Sequence, residues 1–562
     1  MQFKHAPAAV SAVFDDPNLV SAAGLVSMLR LAQQSGLAEL AQSRLSVPTD
    51  KGANAGGKVM ALVAGMLAGA DSIDDMNLLR HGGMGRLFDR TYAPSTLGSF
   101  LREFTFGHVR QLDALASRTL VNLSSTAPLL QVRDDERVMV DLDDTIIEVH
   151  GYKKQGASFG YSGVRGLNAL IATASTTSSA PVILGQRLRQ GKTGSPKGAA
   201  RIVADTLATL RRTNVSRRVR PLLRADSAFY GHATIGTAIK AGADVSVTVR
   251  MDPAVKAAIA TIPDDSWETI EYPNAIRDNA TGRWISKAEV AEVPFVAFRS
   301  RKIAERVEGR LVVRRIPDLN PNKVAQPTLF DTYRHHAFFT TTDKQAIGTV
   351  AADKTHRAHA IIEQVHADLK AGPLAHLPSG VFTANSAWLV LAVIAFNLTR
   401  AAGLIADHAG RLARARTATI RRTLIAVPAR LARSARRIIL HLPEAWPGRP
   451  RSTGSSRPHT RHHQPAPTDH RRDRGTTKDQ VDDRDATPGT HPCPPQTTSH
   501  RSRQPHQPKA HRWIEAKSPM ASATSVCTSP VRMVRAGGEA ASAGADSRKA
   551  FQSRRKAPTP LG

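Results

Sequence analysis

Apolar residues recur at helical spacing through the first part of the chain. Leu, Val and Met positions three and four residues apart predict helices over residues 18–40 and 58–68. Pro94 marks a further helix start, with Ser95 as its N-cap. We therefore expect residues 1–130 to form a helical N-terminal domain. Its scattered Arg and His residues make it a candidate DNA-binding domain, and plain helical packing is the alternative interpretation.

The hydrophobic pattern changes at about residue 136 to short runs rich in β-branched residues. The strand candidates in this part are residues 137–142, 167–174, 182–188 and 219–223. A loop over residues 191–198 precedes an amphipathic helix at 199–211. Strands that alternate with helices predict an α/β core over residues 131–250.

A second group of strand candidates occupies residues 251–341, where turn residues separate them. They are residues 267–271, 293–298, 311–315 and 336–340. This pattern predicts a mostly β insertion. The helical pattern resumes at about Thr342 and continues to about Leu440. Its most apolar run, from Ala387 to Phe396, is too short to span a bilayer and predicts a buried helix.

The composition adds a large positive charge to this picture. The 562 residues include 77 Lys and Arg against 47 Asp and Glu, a net charge of +30. Such a surplus favours a nucleic-acid partner through neutralisation of phosphates, although abundant Arg is also typical of a GC-rich genome. Only two cysteines are present, which excludes a disulfide framework. The N-terminus has no signal-peptide pattern, so we expect a cytoplasmic protein with no membrane partner.

Arginine is concentrated in residues 404–437, where Asp407 is the only acid. The residues are Arg411, Arg414, Arg416, Arg421, Arg422, Arg430, Arg433, Arg436 and Arg437. A solvated helix face and a DNA phosphate contact are the two interpretations, and the charge of the chain favours the second. Beyond Pro447 the sequence is rich in Arg, His, Pro, Ser and Thr, which predicts a disordered basic tail over residues 448–562.

Two acidic stretches follow strand candidates. In the first, strand alternation places Asp141 and Asp143 on one face, and Asp144 follows directly. A carboxylate at a strand end is rigidly held and open to solvent, which suits a metal ligand. In the second, Asp226 lies just past the end of its strand. Asp226 is alternatively the N-cap of the next helix.

The third acidic position, Glu363, lies on a helix predicted over residues 354–371. Lys370 follows Glu363 by two turns and shares its face, as do His356 and His359. A solvated face and a metal-binding pair of His359 and Glu363 are the alternatives. Three carboxylates on one scaffold can hold two divalent metals, which can cut and rejoin phosphodiesters.

Together these features resemble the DDE transposases of bacterial insertion sequences. The resemblance is closest to the branch with a β-strand insertion and a Tyr-x2-Arg-x3-Glu-x6-Lys signature, and within it to the insertion-sequence family numbered thirteen-eighty. It covers about residues 15–447. The segments that carry it are 93–98, 100–102, 141–145, 150–151, 224–227, 385–388 and 395–398, with Glu363 and Lys370. His356 and His359 stand where the signature has Tyr and Arg.

The resemblance implies an RNase H-like catalytic core divided between residues 131–250 and 342–447. Its sheet would carry Asp143 and Asp226, and a flanking helix would carry Glu363. Asp143 is the first choice for the first carboxylate because Asp-x-Thr matches the family pattern. Asp141 and Asp144 stay open as alternatives for that ligand.

The resemblance also implies cofactors and partners. Two Mg²⁺ ions, for which Mn²⁺ can substitute, would be held by the three carboxylates. Lys370 would contact DNA phosphate. The other DNA-binding candidates are His356, His359, Arg421 and Arg422. The partners would be double-stranded DNA, as terminal inverted repeats and as target, and a second copy of the chain in a homodimer.

The expected activity is DNA strand cleavage and strand transfer in the bacterial cytoplasm, in association with the nucleoid. A metal-dependent nuclease on the same fold and an inactive DNA-binding remnant are the alternatives. The resemblance ends near residue 447, where further helical sequence is expected. A reading-frame shift near that codon is our hypothesis for the tail, and a native basic tail is the alternative.

Overall fold

The computed structural model describes residues 10–447, apart from residues 49, 131, 133–135, 214, 216–219, 271–287, 318–332, 409 and 436. The predicted disordered tail and the frame-shift hypothesis concern residues 448–562, which lie outside the described residues. Arg436 also lies outside them. The described residues belong to one compact unit.

The N-terminal part of the described chain is mostly helical. Its helices are α1 (Leu25–Gln34), α2 (Leu37–Arg44), α3 (Ala55–Ala68), α4 (Pro94–Arg102) and α5 (Phe106–Thr126). The predicted Ser95 cap is wrong. Pro94 already occupies the first helical turn and Ala93 is the N-cap, because the fixed φ of proline suits that first turn.

A ten-stranded mixed sheet follows. Its first part contains β2 (Met139–Glu148), β3 (Ser158–Phe159), β4 (Arg165–Ser175), β5 (Val182–Gln190), β6 (Leu222–Ala225) and β7 (Asp244–Thr248). Helices α6 (Ala199–Leu210) and α7 (His232–Lys240) connect its later strands. Strand β2 pairs with β4 in the antiparallel sense and with β6 in the parallel sense, so it is an interior strand.

The strands of residues 251–341 extend this sheet instead of forming one of their own. They are β8 (Glu268–Ile270), β9 (Ala288–Ala297), β10 (Val307–Pro317) and β11 (Tyr333–Thr340), preceded by α8 (Pro253–Ile259). Strand β11 pairs with β7, and the order across the sheet is β3-β4-β2-β6-β7-β11-β10-β9-β8, with β5 on β4. The sequence patterns that predicted these strands are therefore confirmed at the level of secondary structure.

The helix predicted over residues 354–371 is divided. Helix α9 (Thr349–Arg357) and helix α10 (Ile361–Lys370) are separated by a 3-10 turn at Ala358–Ala360. The long helix α11 (Phe382–Ala406) follows, and α3 and α5 pack against it. Within the described residues, α11 alone has the length and apolar character of a membrane span. Of the most apolar 18-residue stretch of α11, 83% is buried inside the protein, as is typical of a core helix.

The prediction that helical structure continues to about Leu440 is wrong. After α12 (Thr417–Ile420) and a π turn at Arg421–Ile425, the chain forms the hairpin β12 (Ala429–Ser434) and β13 (Arg437–His441). Strand β12 also pairs with β1 (Leu19–Val20). Pro428 cannot continue a helix, and the first residues of β12 then alternate between buried and exposed, as on a sheet surface.

Candidate active site

The candidate site lies where the parallel pairing of β2 with β6 ends. The last pair of this ladder is Leu142 with Ala225, and Asp143 and Asp226 are the next residues along each segment. Strand β2 continues through Asp143 to Glu148 because its pairing with β4 continues, so the prediction that Asp143 follows the end of its strand is wrong, whereas Asp226 does follow β6.

Asp143 and Asp226 both line an open cleft of about 1080 Å³. Three basic side chains share this lining, namely Lys192, Arg250 and Lys370, and so do the acids Asp144 and Glu148. Two neighbouring strands therefore present two carboxylates in a cleft lined by side chains of both charges.

Asp143 has few protein partners for a partly buried carboxylate. Its Oδ1 accepts the backbone N–H of Asp144 at 2.8 Å, and its Oδ2 lies 3.7 Å from Nδ1 of His366. Burial raises the pKa of Asp143 to about 6, and the charges of Asp226 and Asp144 add to this rise. The Asp144 N–H and nearby His359 oppose it.

Asp226 serves as a cap and lines the cleft as well. Its side chain accepts the N–H of Ala228 at 3.0 Å and caps the 3-10 turn Ser227–Phe229. The N-cap interpretation of Asp226 is therefore confirmed. Burial raises the pKa of Asp226 and the charge of Asp144 raises it further, whereas the Ala228 N–H and His359 lower it. The pKa of Asp226 stays raised although the residue is a cap, because the hydrogen bond from Ala228 does not offset the burial of the carboxylate.

Asp141 lies on the same strand but is completely buried. Its two oxygens accept hydrogen bonds from Nε and Nη2 of Arg224 at 2.7 and 2.8 Å. Oδ1 also lies 2.9 Å from Nδ1 of His359. Asp141 is thereby occupied by two side chains and closed to solvent, which argues against it as the first metal ligand.

Asp144 lines the cleft, but its oxygens are also occupied. Oδ2 accepts from Asn168 at 2.8 Å and from the guanidinium of Arg189, and Oδ1 accepts from Ser195 at 3.2 Å. Arg189 in turn donates to the carbonyls of Ser195 and Lys197 at 2.9 and 2.7 Å. The role of Asp144 in this structure is to fix the 191–198 loop against β2. Of the three Asp residues in this stretch, Asp143 is the one open to a ligand.

Helix α10 and the 3-10 turn before it face these strands. His359, in that turn, contacts Asp141, whereas His366 on α10 approaches Asp143 and Lys370 lines the cleft. Glu363 precedes His366 by three residues and Lys370 by seven, so it belongs to their face of α10. Its side chain is exposed and is not among the residues that line the cleft. Within the described chain, no three His, Cys, Asp or Glu side chains are close enough to hold a metal.

His356 does not have the setting expected of a DNA-contacting residue. Its two ring nitrogens lie 2.9 and 3.0 Å from the hydroxyls of Ser246 and Thr248, and its ring stacks on Phe338 at 4.1 Å. Burial lowers the pKa of His356 to about 3, with nearby His359 as the next cause. The residue is neutral and committed to packing, so the structure contradicts its prediction as a phosphate contact.

His366 is a site residue that the sequence reasoning missed. Burial lowers its pKa to about 4, helped by the charges of Lys370 and His359. Its Nε2 is buried and lacks a hydrogen-bond partner. The available signal was its position three residues after Glu363 and four before Lys370, on the face already singled out. Polar residues are common on a helix that is about half apolar, so the residue type of His366 did not mark it as a site residue.

The remaining DNA-binding candidates lie at different places. Burial lowers the pKa of Lys370, and the Asp143 carboxylate opposes this shift. Arg422 is exposed and Arg421 is half-buried, and neither lines the cleft. The Arg421 guanidinium lies against Gly372, just beyond the end of α10. The DNA contacts of Lys370, His359, Arg421 and Arg422 stay predictions.

The fold and site define a class, a mixed α/β protein with two carboxylates from neighbouring strands in an open cleft. Residues 4–453 match the family model described as transposase DDE domain group 1. The match covers most of the 562 residues, and the chain belongs to this family of DDE transposases. Such transposases act on DNA as enzymes of the nucleotidyl-transferase type and generally use divalent metal ions. A comparison with curated proteins finds no match.

Proposed function

We propose that this protein binds the ends of an insertion sequence and catalyses metal-dependent strand cleavage and strand transfer. The observation that carries the proposal is the Asp143–Asp226 pair, which lies in one cleft where the parallel pairing of β2 with β6 ends. Both pKa values are raised, which means that burial leaves the two carboxylates with uncompensated negative charge. A divalent cation relieves this type of charge, and carboxylate oxygens are its preferred ligands.

Asp143 and Asp226 would hold the metal, with Glu363 as the third carboxylate. Helix spacing supports Glu363, because His366 on that face of α10 approaches Asp143 and Lys370 on it lines the cleft. When bound, a divalent metal activates the attacking oxygen and stabilises the leaving oxygen. We propose two Mg²⁺ ions, with Mn²⁺ as a substitute. Glu363 must turn toward the cleft to join this set.

During the reaction, the protein side chains would orient the DNA and hold helix α10 in place. In cleavage, a water oxygen bonds to phosphorus, the bond to the 3′ oxygen breaks, and that oxygen leaves with a proton. In joining, the oxygen of the freed 3′-hydroxyl bonds to a phosphorus of target DNA and gives up its proton. The bond from that phosphorus to the target 3′ oxygen breaks, and this oxygen takes a proton and leaves as a hydroxyl. Lys370 would hold a phosphate beside the carboxylates. Arg224 and Asp141 would keep His359 and the helix beyond it in place.

The wider assignments follow from the resemblance. We propose an RNase H-like core over residues 131–250 and 342–447 with the insertion at 251–341, because the sheet carries Asp143 and Asp226 and α10 carries Glu363. The N-terminal helices of residues 1–130 would bind DNA. Further proposals are membership of the insertion-sequence family numbered thirteen-eighty, a homodimer on paired inverted repeats, and action in the bacterial cytoplasm at the nucleoid.

The test uses the full chain with Mg²⁺ and DNA that carries the repeats flanking its gene. Gel analysis separates uncut, cleaved and joined DNA, and the parent is expected to give both products. The Asp226→Asn variant should give neither. Asp265→Asn, the same change at an exposed aspartate in the segment preceding β8, is the control and should behave as the parent.

The outcomes separate the candidate functions. Cleavage without joining would indicate a nuclease, and binding of the ends without cleavage by the parent would indicate an inactive remnant. Equal cleavage by the parent and the Asp226→Asn variant would show that Asp226 is not a metal ligand.

A further inference from the structure

An aromatic side chain is held in solvent at the edge of the cleft. The turn from β3 to β4 carries Tyr161, whose side chain is fully exposed and lines the cleft together with Asp143 and Asp226. A phenol ring in water leaves a large apolar area uncovered, which a ligand in the cleft would cover. The position of the ring in the same cleft as the candidate carboxylates distinguishes it from the other exposed aromatic side chains.

The backbone beneath Tyr161 is a tight turn. The N–H of Gly163 donates to the carbonyl of Gly160 at 3.1 Å, and Gly163 has a φ of +68°, which favours glycine. Tyr161 is the first central residue of this turn. The exposed ring thus stands on a defined support, so ordering it on a ligand costs little backbone entropy.

The same turn is fixed to the opposite wall of the cleft. A Cβ on Gly160 would lie 2.5 Å from the carbonyl oxygen of Gly191, so only glycine permits this approach. The N–H of Lys192 donates to Oγ of Ser158 at 2.9 Å. Because the network of Asp144 fixes the 191–198 loop to β2, the position of Tyr161 is set relative to the carboxylates.

The cleft that Tyr161 lines also contains cations that suit phosphates. Lys192, Arg250 and Lys370 line it together with the acids Asp143, Asp144, Glu148 and Asp226. Cationic side chains and an exposed aromatic ring in one groove are the combination that binds single-stranded nucleic acid. In a duplex the faces of the bases are stacked on one another and unavailable to a side chain. An exposed ring therefore fits an unpaired nucleotide, while the cations fit its phosphates.

We propose that Tyr161 stacks on the base of an unpaired nucleotide next to the phosphate that the carboxylates act on. The inference rests on the proposed function and adds to it a position where the DNA end is opened. Stacking on one aromatic side chain tolerates any base, because every base has a π face. The site therefore fixes where the strand is unpaired without reading its sequence.

The experiment measures DNA binding by the full chain without divalent metal, so that no cleavage intervenes. The probes are a fully paired duplex and the same duplex with a short unpaired thymidine arm that carries a fluorescent adenine analogue. The variants are Tyr161→Ala and Tyr161→Trp. Tyr152→Ala is the matched control, since Tyr152 is an exposed tyrosine on the connection from β2 to β3 that does not line the cleft.

We expect Tyr161→Ala to bind the forked probe roughly tenfold more weakly and the duplex as the parent does, with quenching of the analogue lost. Tyr161→Trp and Tyr152→Ala should retain parental binding and quenching. Equal binding of the fork by the parent and Tyr161→Ala would overturn the stacking proposal while leaving the proposed function intact. An equal loss on both probes, or an equal loss in Tyr152→Ala, would also overturn it. Failure of the parent to bind either DNA would overturn the proposed function itself.

Discussion

Asp141 and Arg224 form a buried ion pair with two hydrogen bonds across the neighbouring strands β2 and β6. Their side chains are 0% and 3% exposed, and the bonds measure 2.7 and 2.8 Å. Nη1 of Arg224 also donates to the carbonyl of Thr355 at 2.6 Å, and His359 contacts Asp141. The pair therefore joins the sheet to the helical segment that leads to Glu363.

The buried pair predicts a large loss of stability when one partner is removed. Asp141→Ala leaves the Arg224 charge buried without its carboxylate, and we expect a loss of about 3–5 kcal/mol in the free energy of unfolding. Urea unfolding followed by circular dichroism measures this loss. The control Glu305→Gln disrupts an exposed pair with Arg301 and should leave the midpoint nearly unchanged.

A companion variant separates the ion pair from other causes. Asp141→Leu combined with Arg224→Met replaces both charges with apolar groups and should recover much of the stability lost by Asp141→Ala. If Asp141→Ala unfolds at the parental midpoint, the pair does not brace the fold.

The raised pKa of Asp143 predicts that this residue destabilises the metal-free protein. Its folded pKa of about 6 exceeds the ordinary value of 3.8, so the folded state binds the proton more tightly than the unfolded state. Asp143→Asn should therefore stabilise the metal-free protein by roughly 1–3 kcal/mol above pH 6. This advantage should shrink as the pH falls through 6 toward 4.

Thermal unfolding in a chelator over this pH range measures the effect. The Asp265→Asn variant, at an exposed position, is the control and should unfold close to the parental temperature. A difference between Asp143→Asn and the parent that is zero at pH 8 would contradict the assigned setting of the carboxylate.

The exposure of Glu363 predicts a variant that loses activity but not stability. Glu363→Gln removes a charge that the protein does not bury, so the unfolding midpoint should stay at the parental value. Cleavage with Mg²⁺ should fall by at least about 100-fold, because a metal ligand is lost. Glu268→Gln, at an exposed position in β8, is the matched control. Parental cleavage by Glu363→Gln would remove it from the metal set.

Substitution of Lys370 should weaken DNA binding, whereas substitution of His356 should not change it. Lys370→Met should weaken binding to any duplex and reduce the slope of log affinity against log salt by about one, as expected for one lost phosphate contact. His356→Phe should leave affinity and slope unchanged, because His356 is neutral and bonded to Ser246 and Thr248. Fluorescence anisotropy at several salt concentrations measures both.

Equal salt slopes for Lys370→Met and the parent would remove Lys370 from the DNA contact. A reduced slope for His356→Phe would show that His356 does carry a charge to DNA.

Local patterns predicted most strands and helices because the information lies within each segment. The apolar runs before Asp143 and around Leu170 gave β2 and β4, and the long apolar stretch gave α11. The turn at Ala358–Ala360 was missed because it contains neither Gly nor Pro. The hairpin at residues 429–441 was missed because its arginines resembled a helix face, although Pro428 marked the break.

The carboxylate assignments depended on contacts that local patterns do not contain. Strand alternation made Asp141 and Asp143 equivalent, and only pairing with Arg224, 83 residues away, distinguishes them. The same holds for Asp144, which Arg189 occupies from another strand. Distant tertiary contacts, which no spacing rule encodes, decide which of three adjacent acids stays open.

Direct metal titration tests the central claim, that Asp143 and Asp226 hold a divalent metal together. Isothermal calorimetry with Mn²⁺ and Mg²⁺ compares the full chain with Asp143→Asn, Asp226→Asn and the control Asp265→Asn. We predict binding by the parent and the control and a loss of at least about tenfold in affinity in each of the other two variants. Parental affinity in either Asp143→Asn or Asp226→Asn would contradict the claim.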